Sequence, residues 1–194
     1  MRCLSCHRLS VPIICKSCDQ KLLVPNITKR KIGTLEVISL FKYKNIESFI
    51  LTKHTPVGFR IYKYFGKKFI TPFIDKFAKE AREELSLISI DEQVDSGYAH
   101  TALLSHFVNN SFVGVQHSKL LAKNSVKYAG KSLQYRLENP RNFKYTGKKD
   151  IQVILIDDII TTGVTLQEAQ MELKRHGVGV LFAVTLADAR EQKV

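Results

Sequence analysis

Long apolar runs are absent from this sequence of 194 residues. The longest candidate, residues 177–187, is shorter than the roughly 20 residues that a membrane-spanning helix needs, which excludes a helical membrane protein. Residues 1–10 also lack the apolar segment of a secretory signal, so we expect a cytoplasmic protein. Internal repeats and low-complexity tracts are missing as well, which leaves an ordinary globular chain.

Acidic residues are scarce. Eighteen Asp and Glu stand against thirty Lys and Arg, which gives a net charge of +12 and a pI near 9.6. Such a balance favours nucleic acid, phosphate-rich ligands or an anionic surface such as the inner face of the cytoplasmic membrane. A solvated surface rich in lysine is the simpler alternative, and composition alone leaves both open.

Cysteine is absent after position 18. The four cysteines, Cys3, Cys6, Cys15 and Cys18, form two CxxC pairs and supply the ligand number of a structural zinc site. His7 could replace one sulfur, although four cysteines make that unnecessary. Disulfides are the alternative, which a cytoplasmic setting disfavours. We therefore predict a zinc-binding module over residues 1–30 and a second domain over residues 31–194.

Strands and helices alternate in the second domain. Apolar and β-branched runs predict strands at residues 35–41, 85–90, 151–156 and 178–186. Apolar spacings of three and four predict helices at residues 61–77 (kinked at Pro72), 101–108, 131–139 and 165–176, while residues 115–122 are ambiguous. This alternation is typical of an α/β fold with a largely parallel sheet and flanking helices.

The segment after the third predicted strand has the chemistry of a phosphate site. Thr161, Thr162 and Gly163 offer backbone N–H groups and hydroxyls at the carboxyl end of a buried strand, where open α/β sheets bind ligands. Gly163 permits a positive φ angle, and Thr165 can cap the following helix and contact the phosphate. The alternative is a solvated turn before a capped helix, which leaves this dense polar cluster unexplained.

Two adjacent acids, Asp157 and Asp158, precede that segment. Carboxylates at a strand end accept hydrogen bonds from vicinal ribose hydroxyls, directly or through Mg²⁺, and a polyphosphate substrate would bring Mg²⁺ with it. We expect both side chains to face a ligand rather than the core, so that removing either costs little stability.

The stretch DDIITTGVT resembles the signature with which type I phosphoribosyltransferases bind phosphoribosyl pyrophosphate (PRPP). The resemblance implies a type I phosphoribosyltransferase-like fold, in which the acids hold the ribose hydroxyls and the TTG-x-T segment holds the 5-phosphate. The ligand residues carried over are Asp157, Asp158, Thr161, Thr162, Gly163 and Thr165. Ile159, Ile160 and Val164 are carried over as positions in the loop.

A four-cysteine module followed by this loop resembles the competence protein F (ComF) family. Residues 40–43 are similar to its hydrophobic-hydrophobic-Lys-aromatic motif, and residues 135–143 to its Arg-x-x-Asn…Ala-Phe segment. Residues 96–100, SGYAH, stand where the family has Arg-Gly-Phe-Asn-Gln, and residues 88–90, ISI, replace its Pro-Val-Pro. This neighbourhood handles pyrophosphate in phosphoribosyltransferases, so Ser96 in place of the arginine weakens the case for transfer from PRPP.

The second resemblance implies a role in natural transformation, in which incoming single-stranded DNA is taken up and handled. Basic and aromatic residues interleave in two segments, as in sites that stack bases and contact the backbone of single strands. The candidate DNA contacts are Lys42, Tyr43, Lys44, Lys63, Lys67 and Lys68. Aromatics in the core and solvated lysines are the alternative.

The leading hypothesis is a competence protein that handles incoming single-stranded DNA and carries a PRPP-binding loop. Its protein partner would be a DNA-uptake helicase or a recombination mediator. A phosphoribosyltransferase of nucleobase or nucleotide metabolism is the alternative, and a structural zinc adaptor comes third. The expected cofactors are structural zinc and Mg²⁺ with PRPP, and the sequence assigns no catalytic acid or base.

Overall fold

A six-stranded sheet forms the centre of the computed structural model, which describes residues 1–81, 83–91, 97–126, 128 and 130–190. Its strands, in spatial order, are β1 (Thr28–Ile32), β2 (Leu35–Lys42), β8 (Gly179–Asp188), β7 (Gln152–Ile160), β3 (Leu85–Ser89) and β4 (Val113–Gln116). β1 is antiparallel to β2, and the other neighbours are parallel. The predicted α/β fold with a largely parallel sheet is confirmed.

Helices and a small second sheet cover the two faces. The remaining strands are β5 (Leu120–Ala122) and β6 (Phe143–Tyr145), and the helices are α1 (Lys16–Leu22), α2 (Tyr43–Ile50), α3 (Pro56–Phe65), α4 (Thr71–Ala81), α5 (His100–Ser105), α6 (Leu133–Glu138) and α7 (Val164–Arg175). Successive side chains of a strand point to opposite faces, and β7 follows this rule. Ile154 and Ile156 pack with α2 to α5, whereas Val153 and Leu155 pack with α7, β5 and β6. The hydrophobic core therefore has two layers, with β7 and β8 between them.

Pro72 interrupts the long helix in an unexpected way. A π-helical turn, Gly66–Ile70, joins α3 to α4, and the N–H of Thr71 donates to the carbonyl of Gly66, five residues earlier. Because proline lacks an N–H and its ring crowds the carbonyl four residues before it, the hydrogen-bond ladder shifts by one residue instead of breaking. The predicted kink is thus a π-helical turn within a continuous helical rod.

Several predicted elements have different ends in the structure. The helix expected at residues 101–108 ends at Ser105, and the ambiguous residues 115–122 contribute to two strands, β4 and β5. β7 continues past the expected end at residue 156, because β8 also continues and Ile159 lies opposite Ala187. Both aspartates of the predicted site therefore lie inside a strand.

The cysteine module, residues 1–23, packs directly on the helical layer. Cys3, Ile14 and Leu23 are buried in the same hydrophobic cluster as α3 and the π-helical turn. Residues 28–30, assigned to the zinc module by the sequence, lie in β1. Within the described ranges, no helix is long and apolar enough to cross a membrane.

Candidate functional site

The phosphate loop, residues 161–163, lies where β7 ends and α7 begins. Gly163 adopts φ +87°, in the left-handed region, and is the residue that starts α7. A Cβ atom on Gly163 would lie 2.2 Å from Cδ1 of Ile32 in β1, so a larger residue requires the Ile32 side chain to move. α7 is 12 residues long, and the N–H groups of its first turn have no acceptor within the helix. Thr161 is exposed and Thr162 is half-buried at this same helix end.

Thr165 does not cap the helix, contrary to the prediction. Gly163 occupies the capping position and has no side chain to accept a hydrogen bond, and the N–H of Val164 instead donates to the hydroxyl of Thr162 at 3.5 Å. The left-handed conformation of Gly163 starts the helix one residue earlier than expected and places Thr165 within the first turn. Thr165 therefore offers its own N–H at the helix N-terminus.

Asp158 is held by side chains from three distant parts of the chain. Its Oδ2 accepts hydrogen bonds from Nζ of Lys53 at 3.1 Å and from the hydroxyl of Tyr62 at 3.0 Å, and Nε2 of His100 lies 3.4 Å away. Burial disfavours the charged carboxyl, but Lys53 and His100 outweigh burial and hold the pKa of Asp158 well below its usual range. Burial and the neighbouring Asp158 charge raise the pKa of Tyr62 well above its usual value, so Tyr62 stays a neutral donor.

Asp157 and Asp158 do not share one environment. They are 8% and 6% exposed, and they point to opposite faces of β7 because they are adjacent in a strand. Oδ1 of Asp157 accepts the N–H of Asp158 at 2.8 Å. We expected both side chains to face a ligand rather than the core, but three side chains from α5, α3 and the segment before α3 converge on Asp158.

We predict that Asp158→Ala is destabilising. The substitution leaves the buried Tyr62 hydroxyl and His100 without this acceptor, and each such loss costs about 1–3 kcal/mol, so the free energy of unfolding should fall by about 3 kcal/mol. Urea unfolding at pH 7 measures this, and Tyr62→Phe, which removes one donor, should cost only about 1 kcal/mol. A cost for Asp158→Ala no larger than that of Tyr62→Phe would contradict the assigned contacts.

The same contacts set a pH dependence. The pKa of the Asp158 carboxyl is lower in the folded state than in the unfolded state, where it is near 4. Such a carboxyl stabilises the fold fully at a pH above its unfolded-state pKa, and this stabilisation is lost as the pH falls through its folded-state pKa. The stability difference between wild type and Asp158→Asn should therefore be constant near neutral pH and shrink below about pH 4. Metal loss at low pH affects both proteins and cancels in the difference.

Two arginines that sequence analysis left unassigned contact Thr161. Arg30 in β1 donates to the Thr161 carbonyl, and Arg136 in α6 donates to the Thr161 hydroxyl. Arg30 also lies 3.5 Å from Oδ1 of Asp188, and Arg136 stacks over the ring of Tyr128. Burial lowers the pKa of both guanidinium groups, which nevertheless remain charged at neutral pH. The phosphate loop is therefore flanked by positive charge on two sides.

The segment that departs from the competence family contributes to the site as well. Ser96 lies outside the described residues. Gly97 has φ +82°, and the hydroxyl of Tyr98 donates to the carbonyl of Thr55. His100, which stands where the family has glutamine, contacts Asp158 and packs edge-on against Tyr62. The histidine in place of glutamine is visible in the sequence, but the sequence alone does not connect it with Asp158.

The four cysteines converge on one point. Their Sγ atoms all lie within 4.8 Å of one another, and those of Cys6 and Cys15 are 3.7 Å apart. A tetrahedral zinc ion with Zn–S bonds of about 2.3 Å requires sulfur separations of about 3.8 Å. Burial raises the pKa of Cys3, but backbone N–H groups of Cys15, Cys6 and Ser5 outweigh it and lower that pKa to about 6. A hydrogen bond with Ser5 lowers the pKa of Cys18, but burial and the other three cysteines outweigh it and raise that pKa to about 11. Four thiols this close together therefore need a cation to ionise jointly, and the set fits zinc, which the four residues would hold as thiolates.

The predicted DNA contacts fall into two groups. Lys63 and Lys67 line an open groove between α3 and the cysteine module. Lys68 instead pairs with Asp19 of that module. Lys42 lies opposite Asp188 at the end of β2, Tyr43 is half-buried, and Lys44 is exposed in α2. The structure therefore does not bring all six residues together.

The chain is similar to a hypoxanthine phosphoribosyltransferase from Staphylococcus aureus (15% identity, 68% of this chain and 69% of that chain covered, TM-score 0.41). It is also similar to the UMP synthase of Leishmania donovani (16% identity, 86% and 29% covered, TM-score 0.37), so it spans less than a third of that enzyme. A search of curated proteins finds no match. The sequence pattern of the phosphoribosyl transferase domain matches residues 98–194, half of the chain. The chain therefore belongs to the phosphoribosyl transferase domain family.

Proposed function

We propose that the phosphate loop binds the 5-phosphate of PRPP. The observation that carries this proposal is the left-handed Gly163 at the carboxyl end of β7, which opens the first turn of α7 toward the ligand crevice of a parallel sheet. The exposed N–H groups of a helix N-terminus, the positive end of its dipole and two flanking arginines all favour a phosphate dianion. Thr161 accepts a hydrogen bond from Arg136, which leaves its own hydroxyl hydrogen for a phosphate oxygen.

The two aspartates take separate parts in this proposal. Asp157 is the carboxylate that accepts ribose hydroxyls, since Asp158 already accepts from Lys53 and Tyr62. Asp158 holds Lys53 beside the ribose site, and that ammonium supplies positive charge near a pyrophosphate. Mg²⁺ would neutralise the phosphates of PRPP, and it would be held mainly by those phosphates, with Asp157 as the protein oxygen ligand.

We further propose a cytoplasmic role in handling incoming single-stranded DNA during natural transformation. Its support is the resemblance to the competence protein F family, the net charge of +12 and the exposed lysines of α2 and α3. The cysteine module, with zinc, would act as a rigid structural part beside those lysines. A DNA-uptake helicase or a recombination mediator would deliver or receive the strand.

A phosphoribosyltransferase of nucleobase or nucleotide metabolism remains the second candidate, because the family match covers residues 98–194. Both candidates require PRPP binding, but only the phosphoribosyltransferase would turn PRPP over. Pyrophosphate release from Mg²⁺-PRPP is measured with each nucleobase offered in turn. We expect PRPP to bind, and we expect pyrophosphate to be released no faster than from PRPP in the absence of the protein. Release stimulated tenfold or more by one base would favour the enzyme and contradict a purely DNA-handling role.

A further inference from the structure

We infer that single-stranded nucleic acid binds in a basic groove between the cysteine module and α3, separate from the phosphate loop. This inference rests on the proposed handling of single-stranded DNA and gives it a location. The groove has a volume of about 390 Å³. Its walls come from the segment between the two CxxC pairs, from one stripe of α3 and the π-helical turn, and from Phe107.

The groove is positively charged. Arg60, Lys63 and Lys67 line the groove, and no lining residue is acidic. In the part of the chain that the structure describes, none of these three cations forms an ion pair with a carboxylate, whereas the nearby Lys68 pairs with Asp19. Three cations without neutralising partners form a strong local attraction for a polyanion.

The aromatic residues select the kind of polyanion. The ring of Phe59 is 37% exposed, and Nζ of Lys63 lies 5.3 Å from its centroid and 5.8 Å from that of Phe107. Rings beside cations are the elements with which single strands are held, because bases stack on the rings while lysines contact phosphates. Paired bases in a duplex are not available for such stacking. An acidic polypeptide would use the charges but would have no need of the rings.

The opposite wall supplies apolar surface. Val11 is 92% exposed and Pro12 is exposed beside it, while Ile13 is buried beneath them. These residues are held in place by the four-cysteine cluster on either side of them. The cysteine module thereby forms one wall of the groove, in addition to stabilising its own fold.

The groove and the Asp158 cluster use different faces of the same helix. Tyr62 donates to Asp158, while Phe59, Lys63 and Lys67 recur at spacing four on the groove side. Substitutions in the groove should therefore leave PRPP binding intact. This separation allows the two sites to be tested independently.

The test uses full-length, zinc-loaded protein and a fluorescent dT20 oligonucleotide titrated at several salt concentrations. Lys63→Ala/Lys67→Ala should weaken binding at least about tenfold and reduce the slope of log K against log salt by about 1.4, at about 0.7 per lost phosphate contact. The matched control is Lys76→Ala/Lys79→Ala, which removes the same charge from exposed positions of α4 and should leave the slope unchanged. Phe59→Leu should weaken binding about tenfold with no change in slope.

The other possible outcomes contradict the proposed DNA handling, the location of the site or the kind of ligand. If wild type does not bind dT20, the proposed DNA handling fails together with this inference. If wild type binds but the groove variants bind equally well, only the location is wrong, and loss in Lys44→Ala would move the site to α2. If polyglutamate of equal charge competes as well as dT20 and Phe59→Leu has no effect, the groove binds acidic polypeptides and the inference is overturned. Titration with Mg²⁺-PRPP should be the same for all groove variants.

Discussion

Gly163→Val should abolish PRPP binding while leaving a folded protein. A valine at φ +87° is strained by about 1–2 kcal/mol, and its Cβ would lie 2.2 Å from Cδ1 of Ile32. Relieving that clash requires the Ile32 side chain to change rotamer or the loop to move, and overpacking of this kind costs a further 1–3 kcal/mol or so. Because the loop N–H groups must all point at one phosphate, we expect the affinity for Mg²⁺-PRPP to fall at least about a hundredfold, or about 2.7 kcal/mol. Calorimetric titration beside a melting curve measures both effects.

Three further substitutions, Gly130→Ala, Gly163→Ala and Ile32→Ala, separate strain from steric conflict. Gly130 also has a positive φ, +70°, but a Cβ there would meet no atom of the described residues within 4 Å. Gly130→Ala should therefore show backbone strain alone and bind PRPP normally. The loss of PRPP affinity in Gly163→Ala should be partly reversed when Ile32→Ala is added, because the second change opens space for the new Cβ. Strictly additive effects of these two substitutions would show that Ile32 does not restrict Gly163.

Loss of zinc should destabilise much more than residues 1–23. Cys3, Ile14 and Leu23 belong to the hydrophobic cluster that includes α3 and the π-helical turn, so an unfolded cysteine module would expose that layer. Structural zinc contributes many kcal/mol to folding in small metal-binding modules. We expect Cys3→Ser or Cys18→Ser to lose the metal and on the order of 5 kcal/mol of stability, which lowers Tm by about 10–20 °C for a chain of this size.

Elemental analysis and melting curves test the zinc prediction together. Wild type should contain one zinc per chain, and chelation should lower its Tm. Ser17→Ala is the matched control, since Ser17 is exposed between two of the cysteines. It should retain zinc and melt like wild type. Purified protein without zinc, or an unchanged Tm after chelation, would contradict the structural role of the metal.

The parts of the site that are formed by residues close together in the chain were predictable from the sequence. Residues 161–163 form a strand-to-helix turn, and the pattern of two threonines and a glycine predicted both its location and the positive φ of Gly163. The CxxC spacing likewise predicted the convergence of four sulfurs, because short loops limit where the thiols can lie.

The residues that surround these local motifs were not predictable in the same way. Lys53 and Tyr62 reach Asp158 from about a hundred positions earlier in the chain, and Arg30 reaches Thr161 from β1. No spacing rule connects such distant positions, since the packing of the sheet brings them together. The extension of β7 through both aspartates also depends on β8, its partner, and this extension turned Asp158 toward the helical layer. The two adjacent acids therefore have different environments for a reason that lies in the sheet.

The central claim is that β7 and the phosphate loop form a ribose-phosphate site, and titration of Mg²⁺-PRPP into the full-length, zinc-loaded protein tests it most directly. The comparison protein is Asp157→Asn/Asp158→Asn, which keeps the size of both side chains while removing their charge. Wild type should bind, and the double variant should bind at least about tenfold more weakly, since charge-assisted contacts are worth about 1.5–3 kcal/mol each. No binding by wild type, or equal affinity in a folded double variant, would contradict the claim.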